Sequence, residues 1–238
     1  MRVRVGTSGY AYPQWKGTFY PEDLPAAKFL AHYAERFDTV ELNNTYYRLP
    51  NASTVEGWAK GVPAGFVYSL KASQKITHFK RLKDTSNEVE YLWKVTAGLG
   101  EHRGPILFGL PPNLKKDVPR LTDFLGALPA GGRAAFEFRH ESWFADDVYD
   151  ALRKHDVALC VAEAEDLATP LVATASWGYL RLRREDYADK DMPAWAERIA
   201  GQPWKEAFVY LKHEDGGRGP ALARLLIDAL PKSPGKRP

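Results

Sequence analysis

Eight short runs rich in β-branched and aromatic residues recur along the chain, and each is followed by an amphipathic stretch. This alternation limits the fold more than any other feature. The runs are Arg2–Ser8, Thr39–Asn43, Phe66–Ser73, Pro105–Leu110, Arg133–Arg139, Ala158–Glu163, Gly178–Arg183 and Ala207–His213. Helical patterns such as AAKFLAHYAERF, NEVEYLWKVTAGLG, DDVYDALRKHD and GPALARLLIDAL lie between them. Strands that alternate with helices pair in parallel, and eight such units without a break in composition predict a single α/β domain, a TIM-like (β/α)8 barrel. An open doubly wound sheet is the alternative. Asn51-Ala-Ser53 and the pair Asp146-Asp147 are expected to supply N-caps, and Gly61, Gly100 and Gly201 stand where helices should stop. The stretch 164–176 is short and interrupted by Pro170, so the helix after the sixth strand is expected to be irregular or missing. The barrel is assigned to residues 1–230, and PKSPGKRP (231–238) to a disordered basic tail.

The rest of the composition narrows the function classes. A single cysteine, Cys160 in the apolar run VALCVAEA, rules out an internal disulfide framework and points to a reducing compartment. The N-terminus MRVRVGTSG enters a strand directly, and no run approaches the roughly 18 apolar residues of a membrane span, so a cytoplasmic protein is expected. A net charge of +3 does not by itself argue for nucleic acid.

Charged residues at the ends of core strands carry the functional argument. In such barrels the C-terminal strand ends ring a common mouth that builds the site. Strand two ends with Glu41 and Asn43 on one face, strand three with Lys71, and strand five with Glu137 and Arg139. Glu163, Arg181, Arg183, and Lys212 or His213 end the last three strands. Isolated ions are costly in a core, so these groups must pair, stay wet or hold a ligand.

Several motifs run through the whole chain: GTSGYAYPQWKGTFYPEDLP, FDTVELNNTYYRLP, FVYSLKASQKITH, GPILFGLPP, AAFEFRHESWF, VALCVAEA and YLRLR. In content and order they resemble the YecE-like proteins, domain of unknown function 72. The resemblance implies a TIM-like barrel of unestablished activity, with distant kinship to barrels that act on sugars and on abasic DNA. Where many members end the last strand with a Phe-Asn-Asn-Asp-like sequence, this chain reads YLKHEDGG, which removes any role needing those asparagines.

The candidate catalytic residues are Glu41, Glu137 and Lys71. The two carboxylates are suited to general acid/base work of the glycosidase kind, and Lys71 to a clamp or to a base whose pKa burial lowers. Arg139, Arg181 and Arg183 are planar bidentate binders of phosphate or carboxylate, and the expected guest is an anion. Around them, Thr7 and Ser8 of a glycine-flanked turn offer backbone N–H groups to a phosphate. Asn43 and Asn44 are expected to orient a ligand, and Tyr10, Trp15, Tyr46, Trp143 and Trp177 to stack on it or wall it. His78, His140, Lys212 and His213 complete the candidate ligand-binding set. The stretch from Lys71 to Lys83 holds five basic residues before Asp84, a local field for phosphates. Glu41, Glu137, His140, Glu163 and His213 offer metal ligands, but no HExxH or cysteine-rich spacing announces a centre, and no metal site or cofactor is assigned. The expectation is a barrel that binds a phosphorylated small molecule, with hydrolase or isomerase chemistry. Noncatalytic binding of nucleic acid, a metal-assisted isomerase or endonuclease-like activity, and a purely structural charge network are the alternatives.

Overall fold

A computed structural model describes residues 1–163, 168–213 and 216–231. Eight strands follow one another in the order the sequence sets: β1 Arg2–Thr7, β2 Thr39–Leu42, β3 Val67–Lys71, β4 Arg103–Gly109, β5 Ala134–Glu137, β6 Ala158–Glu163, β7 Trp177–Leu182 and β8 Glu206–Leu211. Each of β2 to β7 pairs in parallel with its successor, and β8 pairs in parallel with β1, so the strands curl into a barrel. Among the described residues seven α-helices pack around it: α1 Phe29–Ala34, α2 Ala52–Lys60, α3 Ser86–Thr96, α4 Val118–Gly126, α5 Asp146–Lys154, α6 Asp191–Ala200 and α7 Arg218–Ala229. Among the described residues no helix follows β6. An antiparallel bridge pairs Glu163 with Ala168, and irregular backbone leads from there to β7. The expected tail from residue 232 on lies outside the described residues.

The last joint, between β1 and β2, is closed differently from the others. A parallel bridge pairs Ser8 with Glu41, and the Tyr33 hydroxyl spans the gap below it. That hydroxyl accepts from the Thr7 amide at 2.8 Å and donates to the Thr39 carbonyl at 3.0 Å. Gly6 lets the strands approach this closely, since a Cβ there would stand 2.1 Å from the Thr39 oxygen.

The two-residue strand period decides which side chains fill the interior. Leu107, Ala135, Ala158, Cys160, Tyr179, Phe208 and Tyr210 form one buried inner cluster, and two outer clusters fill the space between strands and helices. Cys160 is thus a small core residue whose thiol burial pushes up. Tyr210 is satisfied inside the barrel by the Thr39 and Ser69 hydroxyls, at 2.8 and 2.6 Å. Asn51 caps α2 by accepting from the Thr54 amide at 2.8 Å. The expected Asp146-Asp147 cap is displaced by one residue. Ala145 takes the N-cap, both acids lie in the first turn of α5, and Asp147 accepts from the Val148 amide.

Among the described residues no helix is long and apolar enough to cross a membrane.

Candidate functional site

The inward parity of β2, β5 and β7 brings Glu41, Glu137 and Arg181 together at the C-terminal end of the barrel. All three are at most 2% exposed. The Arg181 guanidinium lies between the two acids, 3.0 Å from Glu41 through Nε and Nη2 and 2.5 Å from Glu137 through Nη1. Glu41 also accepts from the Tyr179 hydroxyl at 2.7 Å and from the Ser8 hydroxyl, which itself accepts from Asn43 Nδ2 at 3.0 Å. On the solvent side Arg139 donates to Glu137 through Nε at 3.0 Å, and Arg183 approaches the same carboxylate at 3.4 Å. The side chains of Arg139 and Arg183 keep 29% and 22% of their exposure and form the rim.

This geometry surrounds both acids with donors. Burial alone would raise the Glu137 carboxyl, but Arg181, Arg139, Arg183 and Lys71 hold it well below the usual carboxylate range. Glu137 thus meets Arg181, Arg139 and Arg183 at once. Glu41 has its oxygens occupied by Arg181, Tyr179 and Ser8.

Lys71 stands apart from that network. Its ammonium nitrogen lies 4.6 Å from the centroid of the Tyr46 ring, and Tyr46 in turn meets His78 edge to face at 5.2 Å. Burial first, then the Arg181 charge, pushes Lys71 down to about 8 despite the opposing pull of Glu137 and Glu41. His78 is lowered too, by burial and then by Arg139 and Lys71. Gly109 at the end of β4 lies close beside these groups. A Cβ there would lie 3.7 Å from both Lys71 Cε and Glu137 Oε2 and 4.0 Å from Arg139 Nη2. Among the described residues, the buried polar atoms without a hydrogen-bond partner include Arg183 Nε and Asn43 Oδ1 of the mouth.

Other expected contributors are turned elsewhere. The Thr7 and Ser8 amides donate to the Tyr33 hydroxyl and the Leu211 carbonyl, so the glycine-flanked turn has neither to offer to an anion. The Thr7 hydroxyl donates to the Gly9 carbonyl at 2.6 Å. Trp15 is 1% exposed and packs with Tyr12, Phe19 and Tyr20 beneath the first loop, while Tyr10 packs on Tyr33. Trp143 stacks on Phe138 and donates to the Leu114 carbonyl at 2.7 Å, and Trp177 opens β7 at the opposite end of the barrel. Neither walls the mouth. His140 caps the turn Glu141–Trp143 by accepting from the Ser142 amide. Glu163 is held by the Tyr187 hydroxyl and by Trp195 Nε1 at 3.2 Å, and His213 bonds through Nε2 to the Arg184 carbonyl at 2.6 Å. Asn44 and Lys212 are exposed. Among the described residues no three His, Cys, Asp or Glu side chains form a group that could hold a metal ion, so the offered metal ligands do not converge. The basic stretch is weaker than its composition implies, because Lys75 and Lys80 both bind Glu88, at 2.8 and 2.9 Å.

Two contributors were not recognised in the sequence. Tyr179 precedes Arg181 by two residues and so shares its inward face, which the strand period signals. Gly109 sits inside the quoted GPILFGLPP. Tyr47 and Phe79, at 74% and 72% exposure, add an unexpected aromatic edge next to Tyr46 and His78 in the chain.

A family model described as protein of unknown function DUF72 matches residues 4–237. The UPF0759 protein YecE of Escherichia coli K12 is 27% identical over 97% of this chain and 93% of its own length. The UPF0759 protein YunF of Bacillus subtilis is 29% identical over 62% of this chain, and the match spans 54% of YunF, about half its length. A crystal structure of a DUF72 family protein from Thermotoga maritima superposes with a TM-score of 0.85 at 26% identity, covering 96% of this chain and 98% of that one. A DUF72 family protein from Enterococcus faecalis has the same fold, with a TM-score of 0.79 at 16% identity over 98% of this chain and 97% of that one.

Proposed function

The chain belongs to the DUF72 family, and for this member we propose that the barrel mouth binds a small anionic ligand and moves a proton on it. The observation that carries the reading is a charge imbalance. Among the described residues, Lys71, Arg139, Arg181 and Arg183 surround two carboxylates, Glu41 and Glu137, and so outnumber them by two positive charges, or by one when Lys71 is neutral. Arg181 is spent on the two acids. Arg139 and Arg183 each meet Glu137 from one side and keep donors for a guest, among them the buried Arg183 Nε. A phosphate or carboxylate on the rim would satisfy that donor and the surplus together.

The roles within the site follow from the environments. Arg139 and Arg183 bind the anion. The Glu41–Arg181–Glu137 cluster fixes the positions of the rim arginines, and Lys71, pushed down to about 8, is the group suited to take up and release a proton near physiological pH. Such chemistry fits an isomerase or hydrolase acting on a phosphorylated or sugar-containing substrate. Nucleic acid is less well supported as the guest, because Glu88 engages two of the five cations in the basic stretch.

Thermal unfolding in inorganic phosphate, sugar phosphates, nucleotides and short DNA, at low and moderate salt, tests the reading. A ligand of the folded state raises the midpoint by mass action. The expected result is a rise with at least one small phosphate that vanishes in Arg183→Met. A rise that survives this substitution places the anion elsewhere, and one seen only with DNA and lost in salt favours the nucleic-acid alternative.

A further inference from the structure

Lys71 differs from an ordinary rim lysine in three respects. Among the described residues no carboxylate lies in hydrogen-bond reach of its Nζ, which stands instead over the face of Tyr46. The groups around it are Glu41 from β2, Tyr46 and His78 from the loops after β2 and β3, Glu137 and Arg139 from β5 and its extension, and Arg181 from β7. They surround it without fixing its nitrogen. Finally, its Cε stands with Glu137 Oε2 and Arg139 Nη2 around Gly109, all three within 4.0 Å of where a Cβ would be.

We propose that Lys71 is a nucleophilic amine that forms an imine with a carbonyl carbon of the anionic ligand, making the substrate class an oxo acid or a keto or aldehyde phosphate. The inference rests on the anion-binding reading above and adds the functional group that the anion must carry. A desolvated lysine beside other cations is the usual way proteins obtain a neutral amine for this chemistry. The neutral nitrogen adds to the carbonyl carbon, forming the C–N bond as the C=O π pair moves to oxygen. The two protons of the amine leave with that oxygen as water through proton relay, giving the C=N bond. No oxidant or further reactant is needed. Arg139, beside the same glycine, holds the anionic end and orients the carbonyl. With Lys71 at about 8, its neutral fraction at pH 7.5 is on the order of a hundredfold above that of a lysine at its ordinary value.

The test is reductive trapping on the intact protein. Pyruvate, glyoxylate and dihydroxyacetone phosphate are each incubated with it and sodium cyanoborohydride, with acetone as the neutral control, and the modified lysines are mapped by mass spectrometry. At least one anionic carbonyl compound is expected to label Lys71 about tenfold more than any other lysine. Excess inorganic phosphate should protect it, and labelling should rise between pH 7 and 9 as the amine loses its proton. Lys71→Arg, which keeps the charge, should abolish that adduct and leave the phosphate-induced thermal shift in place. Labelling spread evenly over the lysines, or none, overturns the imine. If phosphate still stabilises the protein through Arg183 in that case, the anion site stands and only the imine falls. If phosphate has no effect either, both readings fall.

Discussion

Both ends of the barrel join arginines to carboxylates, but with the exposure reversed. At the N-terminal end the cation is sealed. The Arg4 side chain is 6% exposed and reaches Asp38 and Glu206, each at 2.9 Å, whose side chains keep 47% and 17% exposure, and Arg133 joins Glu206 from solvent. A cavity of about 420 Å³ lies beside them, lined by these arginines, Arg103 and Glu206. At the C-terminal mouth it is the acids that are sealed and the outer arginines that face water. Wet acids can turn to solvent when their partner is lost. Buried acids have no such option, so the mouth depends on its cations far more than the base does.

Arg181→Met puts that difference to its hardest test. It would leave Glu41 and Glu137 buried without their shared cation, a loss of about 3–5 kcal/mol. For a domain of this size that lowers the thermal midpoint by about 10 °C. A drop of a degree or two would mean that the mouth and the base do not differ. Restoring neutrality by adding Glu137→Gln should recover part of the loss, a coupling that a double-mutant cycle reads directly.

Acid should act on the mouth next. The folded-state pKa of Glu137 is depressed below its ordinary value of 4.5, so its stabilisation is complete above that pH and is lost as pH falls below it. Urea unfolding of the protein and of Glu137→Gln at pH 7 and pH 3 should show the gap between them narrowing in acid. A gap of unchanged size would mean the carboxylate is not held by the arginines.

At the base, Arg4→Met is expected to cost about 1–2 kcal/mol, the range for lost hydrogen bonds whose acceptors regain water. A cost equal to that of Arg181→Met would erase the contrast from the other side. The smallest effect on stability belongs to Arg183→Met, within about 0.5 kcal/mol, as for other partly exposed ion pairs. The same substitution should remove the anion response, separating binding from folding at one residue.

The barrel was legible because its two signals are local. Strand parity and strand–helix alternation need only neighbouring residues, and parity also placed Glu41, Glu137, Arg139 and Arg181 at one mouth. What the sequence left obscure depends on partners far along the chain. Glu163 is taken by Tyr187 and Trp195, and Lys75 by Glu88, contacts that follow from how helices and loops dock rather than from spacing. Trp15 and Trp143 have the composition of a ligand wall, but they turn into the packing beneath their loops, where burying a large ring outweighs display. Lys71 shows the limit most clearly. Its position could be read, but its lowered proton affinity comes from burial and from Arg181, more than a hundred residues away.

The β1–β2 joint gives the molecule a weak line. Elsewhere neighbouring strands pair directly along their edges, whereas here the edges are buttoned at Ser8–Glu41 and at the Tyr33 hydroxyl. The Thr7 amide donates to that hydroxyl, so its rate of deuterium uptake reports the unbuttoning of this line alone. Glu41 belongs both to the joint and to the buried charge cluster, so the clasp that shuts the cylinder is also the floor of its mouth.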